Sequence, residues 1–472
     1  MTSKLSSKML EALHTAVPAE RISTEAADRA KHVKDYWPAI AKWSEARIEA
    51  AAPVAVVRPR TVAEVSAVLR VANQGLFGVV PYAGASGVCG GVVPEGPAIS
   101  LDLRELTGIA HFNPTDCMVT AYAGTPAAEL EKFLNEKGFT TGHYPQSLPL
   151  ASIGGLVATR SSGTFSSKYG NIEDMVIALE VVLADGRVIA NKATPRAATG
   201  PRLSDLYIGS EGALGVITQV TLRIRPLPEA RCFRGIAFAD LKEGLAATRE
   251  FFTKDIVPAV IRLYNAAESE HLFERVGQAP AGRSLLILGF DGNRAVVEVV
   301  ERLVLETCQR HGGQDLGREI GEGWERGRFD AFWLEKGNAG LKVADAIEVS
   351  GAWSVLPEMY DRVTAALKPQ VDQLWSHFSH CYGQGSSIYF IVFASDQSRE
   401  AVLAKYHLIW KTVMTEVLAV GGAISHHHGI GMIRAPYIAE EAGSSFELLK
   451  AIKDAVDPTG ILNPGKLGLK RT

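Results

Sequence analysis

Three consecutive histidines, His426, His427 and His428, lie between Gly421-Gly422 and Gly429-Ile430-Gly431. Neutral imidazole is a metal ligand and a proton acceptor, and its charge changes near physiological pH. Three of them crowded where glycine lets backbone approach a ligand allow a metal site, an anion site or a proton relay. In an extended backbone His426 and His428 would share one face and His427 the other, so at least one imidazole can be structural.

Two further stretches have the composition of a diphosphate cradle. The first is Pro81-Tyr82-Ala83-Gly84-Ala85-Ser86-Gly87, running on to Gly91; the second spans 148–163 and includes Ser152-Ile153-Gly154-Gly155, Ala158-Thr159 and Ser162-Gly163. Glycine lets successive N–H groups converge on an anion without an intervening side chain. The hydroxyls of Ser152, Thr159 and Ser162 can add donors. Either stretch alone is equally a tight turn. Neither has Gly-x-Gly-x-x-Gly on a strand-to-helix turn, which disfavours a doubly wound dinucleotide fold.

These loops need elements to hold them. Thr61-Val62-Ala63-Glu64 has capping-box spacing, and Val62, Val65, Val68, Leu69 and Ala72 share a helical face, so a helix is predicted up to Gly75. A short strand at 79–81 leads into the first loop, and an alternating strand follows at 99–103. Thr125-Pro126 reads as the N-cap and first position of a second helix through Leu134. Residues 175–189 read as two strands joined at Asp185-Gly186, and 216–225 as another strand ended by Pro226 and Pro228. Beyond a boundary near 229, strands are predicted at 284–290 and 387–394. A helix is predicted over 294–310, and a long one stops at Gly421-Gly422 where the histidines begin.

The chain has 472 residues, 47% hydrophobic and 21% charged, enough for two or more lobes with substantial cores. A net charge of -3 removes an electrostatic case for nucleic acid or acidic membrane as the main partner. Five dispersed cysteines without a Cys-x-x-Cys pair argue against a disulfide framework and structural zinc. No apolar run is long enough to span a bilayer, no leader is evident, and Lys470-Arg471-Thr472 is not a peroxisomal tripeptide, so a cytoplasmic location is expected.

Four stretches in order carry a resemblance. They are 81–91; Gly142-His143-Tyr144-Pro145-Gln146-Ser147 with Ser152–Gly155; Tyr169-Gly170-Asn171-Ile172-Glu173-Asp174; and Gly209-Ser210-Glu211-Gly212-Ala213-Leu214-Gly215-Val216-Ile217-Thr218. Together they resemble the FAD-binding domain of the vanillyl-alcohol oxidase and para-cresol methylhydroxylase (PCMH) family. In that family the first loop wraps the FAD diphosphate, the second runs past the flavin, and the Gly-Ser-Glu-Gly stretch closes over the adenine side. The resemblance implies FAD contacts from Pro81, Tyr82, Ala83, Gly84, Ala85, Ser86 and Gly87 in the first loop. It implies others from Pro145, Ser147, Ser152, Ile153, Gly154, Gly155, Ala158, Thr159, Ser162 and Gly163, and from Tyr169, Gly170, Glu211, Gly212, Val216 and Ile217. Some members bond the flavin through a first-loop histidine; Gly84-Ala85-Ser86 has none, so non-covalent FAD is expected and Cys89 is read as core.

The segment Ser425–Gly431 resembles the His-His-His segment of the alkylglycerone-phosphate synthases within that family, with Thr199-Gly200-Pro201, Ile261-Arg262-Leu263 and Ile388-Tyr389-Phe390 also matching. By position Tyr389 matches a catalytic tyrosine and Arg262 an active-site arginine. On a strand, Ile388 and Phe390 would face away from Tyr389, and nearby cations would favour its phenolate as a general base. Where those synthases carry a second active-site arginine, before the segment matched by Glu348-Val349-Ser350, this chain reads Phe332-Trp333-Leu334-Glu335-Lys336, which counts against a phosphate-bearing substrate. Relatives that oxidise D-2-hydroxy acids bind a divalent metal through Glu-His and an upstream histidine motif. Here histidine replaces the acid, and although His377 and His380 offer partners, hydrogen bonding to substrate is favoured over metal.

The expected fold is α+β and two-lobed. An N-terminal helical arm covers 1–50, a PCMH-type FAD-binding domain 51–229, an α/β substrate cap with an antiparallel sheet 230–420, and a C-terminal segment 421–472 returns to the flavin. The expected activity is an FAD-dependent oxidoreductase passing a hydride from a small 2-hydroxy acid or alcohol to flavin N5, with Tyr389, Arg262 and His426–His428 as the catalytic groups. The alternative is a redox-neutral transferase exchanging acyl for alkyl through a flavin N5 adduct. A homodimer is the family expectation.

Overall fold

The computed structural model describes residues 7–276, 282–329 and 332–469; Lys470-Arg471-Thr472 and the start of the N-terminal arm lie outside them. Four strands open the fold: β1 (Ile22–Ser23), β2 (Ala55–Val57), β3 (Gly78–Tyr82) and β4 (Ala98–Asp102). They form a sheet in the order β1-β2-β4-β3, with β2, β4 and β3 parallel. The connection from β2 to β3 is the Val62–Gly75 helix. Thr61 and Glu64 cap each other as their spacing requires, and Val65, Val68, Leu69 and Ala72 are buried against the sheet. The N-terminal arm is therefore not only helical, because β1 pairs with β2.

Next come β5 (Ile109–Asn113), β6 (Met118–Tyr122), β7 (Phe139–Thr140), β8 (Val176–Val182), β9 (Val188–Ala190), β10 (Val216–Arg223) and β11 (Arg225–Pro226). An antiparallel sheet takes the order β5-β6-β10-β8-β9, while β7 pairs with β11. The β8–β9 hairpin turns at Asp185-Gly186, where Gly186 has φ 82°. The helix after Thr125 begins one residue later than the sequence predicts, at Ala127 with Pro126 in the cap position. The Thr125 hydroxyl instead accepts the N–H of Gly108 at 3.0 Å, so it ties the helix entry to the sheet.

The remaining strands are β12 (Ala230–Phe238), β13 (Val260–Tyr264), β14 (Ser284–Gly292), β15 (Gln314–Asp315), β16 (Lys342–Ala352), β17 (Gln373–Ser379) and β18 (Gly385–Ser395). They build one seven-stranded antiparallel sheet in the order β15-β12-β14-β13-β17-β18-β16. Its register decides the chemistry. Tyr264 pairs with His377, His377 with Tyr389, and Tyr389 with Glu348, so four polar side chains form a row across four strands on one face. Their neighbours Leu263, Phe378, Ile388, Phe390, Ile347 and Val349 point the other way, buried in a core shared with the helices Leu356–Leu367 and Arg399–Ala419. Each such side chain contributes about 1.5–3 kcal/mol of burial, which fixes the register and with it the polar row.

After the long helix, Gly421 turns the chain at φ 76°, and Ala423 makes a single bridge to Ser350. The histidines that follow are not in a strand, contrary to the alternating-face expectation. Leu462 then forms a parallel bridge with Val79, bringing the C-terminal segment back to the first sheet. Among the described residues no helix is long and apolar enough to cross a membrane, and all five cysteines are free.

Candidate active site

Glu348 is the centre around which the histidine loop folds. Its fully buried carboxylate accepts Ser425 Oγ at 3.0 Å and the backbone N–H groups of His426, His427 and His428 at 2.6, 3.2 and 2.8 Å. Arg434 Nη2 stands 3.4 Å away and also donates to the Glu348 carbonyl oxygen at 2.8 Å. Burial opposes the charged form, but Arg434, then His428 and His426, and the backbone donors outweigh it and hold the Glu348 carboxyl at about 2. The far end of the loop is tied likewise: Glu211 accepts the N–H groups of Ile430 and Gly431, at 2.5 and 2.9 Å. The glycines are required by close approach. A Cβ on Gly429 would meet Glu211 Oε1 at 2.5 Å, and one on Gly431 would meet the Cys89 carbonyl at 2.1 Å.

This wrapping aims the imidazoles at the polar row. Tyr389 Oη lies 3.1 Å from His427 Nε2 and 3.3 Å from His380 Nε2, and its ring stacks on His377 at 4.5 Å. His426 and His427 meet through their Nδ1 atoms at 2.9 Å, and His426 Nε2 is 2.9 Å from Tyr382 Oη. His428 packs edge-on against the Tyr389 ring, with Nδ1 3.8 Å from Glu348. Burial is the dominant influence throughout. It lowers His380 and His427 well below the usual histidine range, where a proton on one imidazole would also repel a proton on the next, and takes His428 to about 4. Burial also pushes the Tyr389 phenol well above its usual range, more than Arg262 offsets. Tyr389 is thus a neutral phenol among neutral imidazoles; the standing phenolate expected from nearby cations is corrected by its desolvation.

Beside Tyr389 lies a cavity of about 360 Å³ between this sheet face and the helices Ala266–Val276 and Arg318–Gly327. Tyr264, Trp324 and Trp375 form apolar walls, and Arg262, Arg326 and Arg328 supply positive charge. Arg262 Nη2 donates to His377 Nε2 at 2.8 Å. A guanidinium cannot accept, so His377 carries its proton on Nδ1 and donates to the Glu268 carboxylate at 2.9 and 3.0 Å. Among the described residues Arg262 Nε is buried without a hydrogen-bond partner. Arg328 donates to the Tyr144 carbonyl and Thr164 Oγ1, both at 3.2 Å. Although 332–336 contains no arginine, Arg326 and Arg328 just upstream line the cavity.

The two glycine loops meet. A Cβ on Gly84 would stand 2.3 Å from the Leu150 carbonyl, one on Gly154 2.6 Å from Ala123 Cβ, one on Gly163 2.7 Å from Tyr144 N, and one on Gly212 2.7 Å from Pro81. Ala85 has φ 47°, and among the described residues the N–H groups of 84–88 donate to no other residue. A half-exposed loop of unspent donors, closed by glycine contacts onto a second loop, fits the diphosphate of FAD. Around it, Tyr82 packs against His32 at 4.4 Å, and the Gly87 carbonyl is held by Tyr36 N at 2.8 Å. Ser152 Oγ caps Gly155 N at 3.3 Å, the Ala158 carbonyl accepts Glu211 N at 2.9 Å, and Thr159 Oγ1 donates to the Gly155 carbonyl. The Pro145 and Ser147 carbonyls accept the N–H groups of Leu148 and Leu150, which shapes the second loop. Ala83 and Ser86 are half-buried in the first loop.

Other expected cofactor residues are engaged elsewhere. Glu211 spends its carboxylate on the histidine loop; Ile153, Val216 and Ile217 are buried in hydrophobic cores; and Tyr169, followed by Gly170 at φ 85°, donates to Asp291 at 3.0 Å. Ser162 Oγ donates to Asn171 at 2.7 Å. Cys89, read as core, is buried and receives Arg434 Nη1 at 2.8 Å. Glu348, His426 and His427 can bring ligand atoms within 4.8 Å of one another. The Glu348 oxygens are nevertheless already filled by four N–H or O–H donors, and His426 and His427 face each other's Nδ1, so a cation there would have to displace this network.

Sequence reasoning missed Glu348, Arg434, Glu268 and Tyr382 as site residues. Only Glu348 carried a local signal, an acid at an inward position of an apolar strand.

Residues 53–191 match an FAD binding domain, and residues 227–467 match the C-terminal domain of FAD linked oxidases. The chain is 36% identical over 441 residues to the FAD-linked oxidoreductase YgcU of Escherichia coli (strain K12), covering 88% of this chain and 89% of that protein. It is 30% identical to the mitochondrial D-lactate dehydrogenase [cytochrome] of Arabidopsis thaliana, covering 88% and 72%. It is 28% identical to the alkyldihydroxyacetonephosphate synthase of Dictyostelium discoideum, covering 88% and 73%. Among solved structures, an alkyldihydroxyacetonephosphate synthase superposes with TM-score 0.83 at 23% identity over 99% of this chain and 87% of that one. p-Cresol methylhydroxylase superposes with TM-score 0.79 at 17% identity over 98% and 96%.

Proposed function

The chain belongs to the FAD-linked oxidase family, and on that premise we propose that it oxidises a small 2-hydroxy acid at the cavity beside Tyr389. The loops 81–91 and 148–163 would hold FAD, which when bound would supply the hydride acceptor. The protein's own contribution is positioning and proton transfer. Arg262, braced by His377 and Glu268, and Arg328 offer guanidinium donors to a carboxylate, each charge-assisted contact contributing about 1.5–3 kcal/mol. Tyr389 takes the hydroxyl proton as its own passes to a neighbouring imidazole, a role that contributes about 10²–10⁴-fold in rate. Trp324, Tyr264 and Trp375 line the cavity where the substrate would sit.

The observation that carries this reading is the Tyr389 hydroxyl shared between the buried imidazole of His380 and the half-buried one of His427 on the wall of a cavity that also holds Arg262. Similarity to a protein named D-lactate dehydrogenase supports the substrate class. The test is anaerobic mixing of the flavin-loaded protein with 2-hydroxy acids and simple alcohols. Bleaching of the oxidised flavin band with one 2-oxo acid formed per flavin is expected; no bleaching with any of them overturns the reading. The redox-neutral transferase remains the second reading, favoured by the three arginines at the cavity and by the similarity to alkyldihydroxyacetonephosphate synthase. Exchange of an acyl for an alkyl group without net bleaching would decide for it.

A further inference from the structure

Seven side chains form one unbroken line of hydrogen bonds through the site. Ser166 Oγ meets His380 Nδ1 at 2.9 Å, His380 Nε2 meets Tyr389 Oη at 3.3 Å, and Tyr389 Oη meets His427 Nε2 at 3.1 Å. His427 Nδ1 meets His426 Nδ1 at 2.9 Å, His426 Nε2 meets Tyr382 Oη at 2.9 Å, and Tyr382 Oη donates to Asn171 Oδ1 at 2.9 Å. A neutral imidazole has one donor and one acceptor nitrogen, and a phenol has one proton. Fixing the direction of the Tyr382–Asn171 bond therefore fixes the others in turn.

Asn171 fixes it. Its carbonyl oxygen also receives Ser162 Oγ at 2.7 Å and can only accept, so the single proton of Tyr382 is committed to Asn171. Tyr382 Oη must then accept from His426 Nε2–H, which leaves His426 Nδ1 as an acceptor for His427 Nδ1–H. His427 Nε2 is left as an acceptor for the Tyr389 proton, while Tyr389 Oη accepts from His380 Nε2–H and His380 Nδ1 from Ser166. Reversing the line would direct the Tyr389 proton toward His380, which packs against His426 and His427, feels the charge of Arg262, and among the described residues has no carboxylate bonded to it. In the direction set by Asn171 the proton travels toward His426, whose backbone N–H is bonded to the Glu348 carboxylate.

We propose that Asn171, through Tyr382, His426 and His427, is a positioning residue that aims the Tyr389 proton at His427 and so prepares Tyr389 to receive a proton from substrate. In that step the substrate O–H bond breaks and a Tyr389 O–H bond forms. The former Tyr389 O–H bond breaks and a His427 Nε2–H bond forms, leaving an imidazolium whose Nδ1 proton can pass to His426. Only the source of the incoming proton rests on the proposed oxidation of a hydroxy acid; the direction of the line does not.

The test is ¹⁵N-histidine NMR of the flavin-loaded protein without substrate, with resonances assigned by single histidine substitutions. The expected wild-type state has the proton of His427 on Nδ1 and that of His426 on Nε2. Asn171→Leu removes the acceptor, so Tyr382 turns to His426 and both tautomers swap; Asn171→Asp keeps an acceptor and the wild-type tautomers. A wild-type His427 protonated on Nε2, or an Asn171→Leu protein with unswapped tautomers, overturns the proposal. Should Asn171→Leu not fold, the wild-type tautomers alone decide. Failure of every hydroxy acid to bleach the flavin would remove the proposed function and leave this result standing.

Discussion

Replacing Glu348 by Gln tests what holds the histidine loop in place. The carboxylate is fully buried, accepts one hydroxyl and three backbone N–H groups, and faces Arg434, itself fully buried. An amide of the same shape turns an NH₂ group toward those donors and leaves Arg434 without its counter-charge. Breaking a buried ion pair from one side costs about 3–5 kcal/mol. An independent route gives a similar figure: the Glu348 carboxyl falls from an ordinary 4.5 to about 2 in the fold, which at about 1.4 kcal/mol per unit is about 3 kcal/mol. Because the folded value is the depressed one, this stability is fully present above pH 4.5 and is lost as pH falls through 4.5 toward 2. Urea unfolding of wild type and E348Q, followed by tryptophan fluorescence at pH 7 and at steps down to pH 3, reads both effects. E348Q is expected to be about 3 kcal/mol less stable at pH 7, with a gap that narrows as the pH drops. A gap below about 1 kcal/mol at pH 7, or one that does not change with pH, refutes the reasoning.

Tyr389→Phe removes the hydroxyl between His427 and His380 and is expected to slow anaerobic flavin bleaching by about 10²–10⁴-fold with flavin content unchanged, as stopped-flow absorbance will read. Arg262→Gln removes the charge held by His377, so the loss of about 1.5–3 kcal/mol lowers kcat/KM about 10- to 100-fold for carboxylate substrates and far less for uncharged alcohols. Gly84→Ala places a Cβ 2.3 Å from the Leu150 carbonyl; the two cradle loops are forced apart at about 1–3 kcal/mol, and the purified protein carries less flavin by its absorbance ratio.

The parts of the fold set by short-range patterns were legible in the chain. Thr61 and Glu64 announce the Val62–Gly75 helix because both halves of the capping box lie within one turn, and Asp185-Gly186 announces its hairpin because the turn needs a positive φ at Gly186. Periodicity over residues 294–310 gives the Arg294–Arg310 helix to the residue. Tyr389 and Arg262 stood out only through family resemblance; alternation placed Ile388 and Phe390 opposite Tyr389 but could not say what lay across the sheet. The pairing of Glu348 with Tyr389 and of Tyr264 with His377 joins positions tens of residues or more apart. The histidine loop defeated the strand reading for a related reason. Its backbone N–H groups bond a side chain 78 to 80 positions earlier rather than a neighbouring strand, and glycines at 429 and 431 bend it at φ 81° and 51°. Nothing local in Ser425–Gly431 encodes that partner.

The most direct test of hydroxy-acid oxidation is the rate of anaerobic flavin bleaching with a 2-hydroxy acid carrying deuterium on its carbinol carbon. Slower bleaching than with the protiated acid, one 2-oxo acid per flavin, and loss of both in Tyr389→Phe is the expected result. An oxidised flavin band unchanged by every hydroxy acid and alcohol, in a protein that exchanges acyl for alkyl groups, would contradict it.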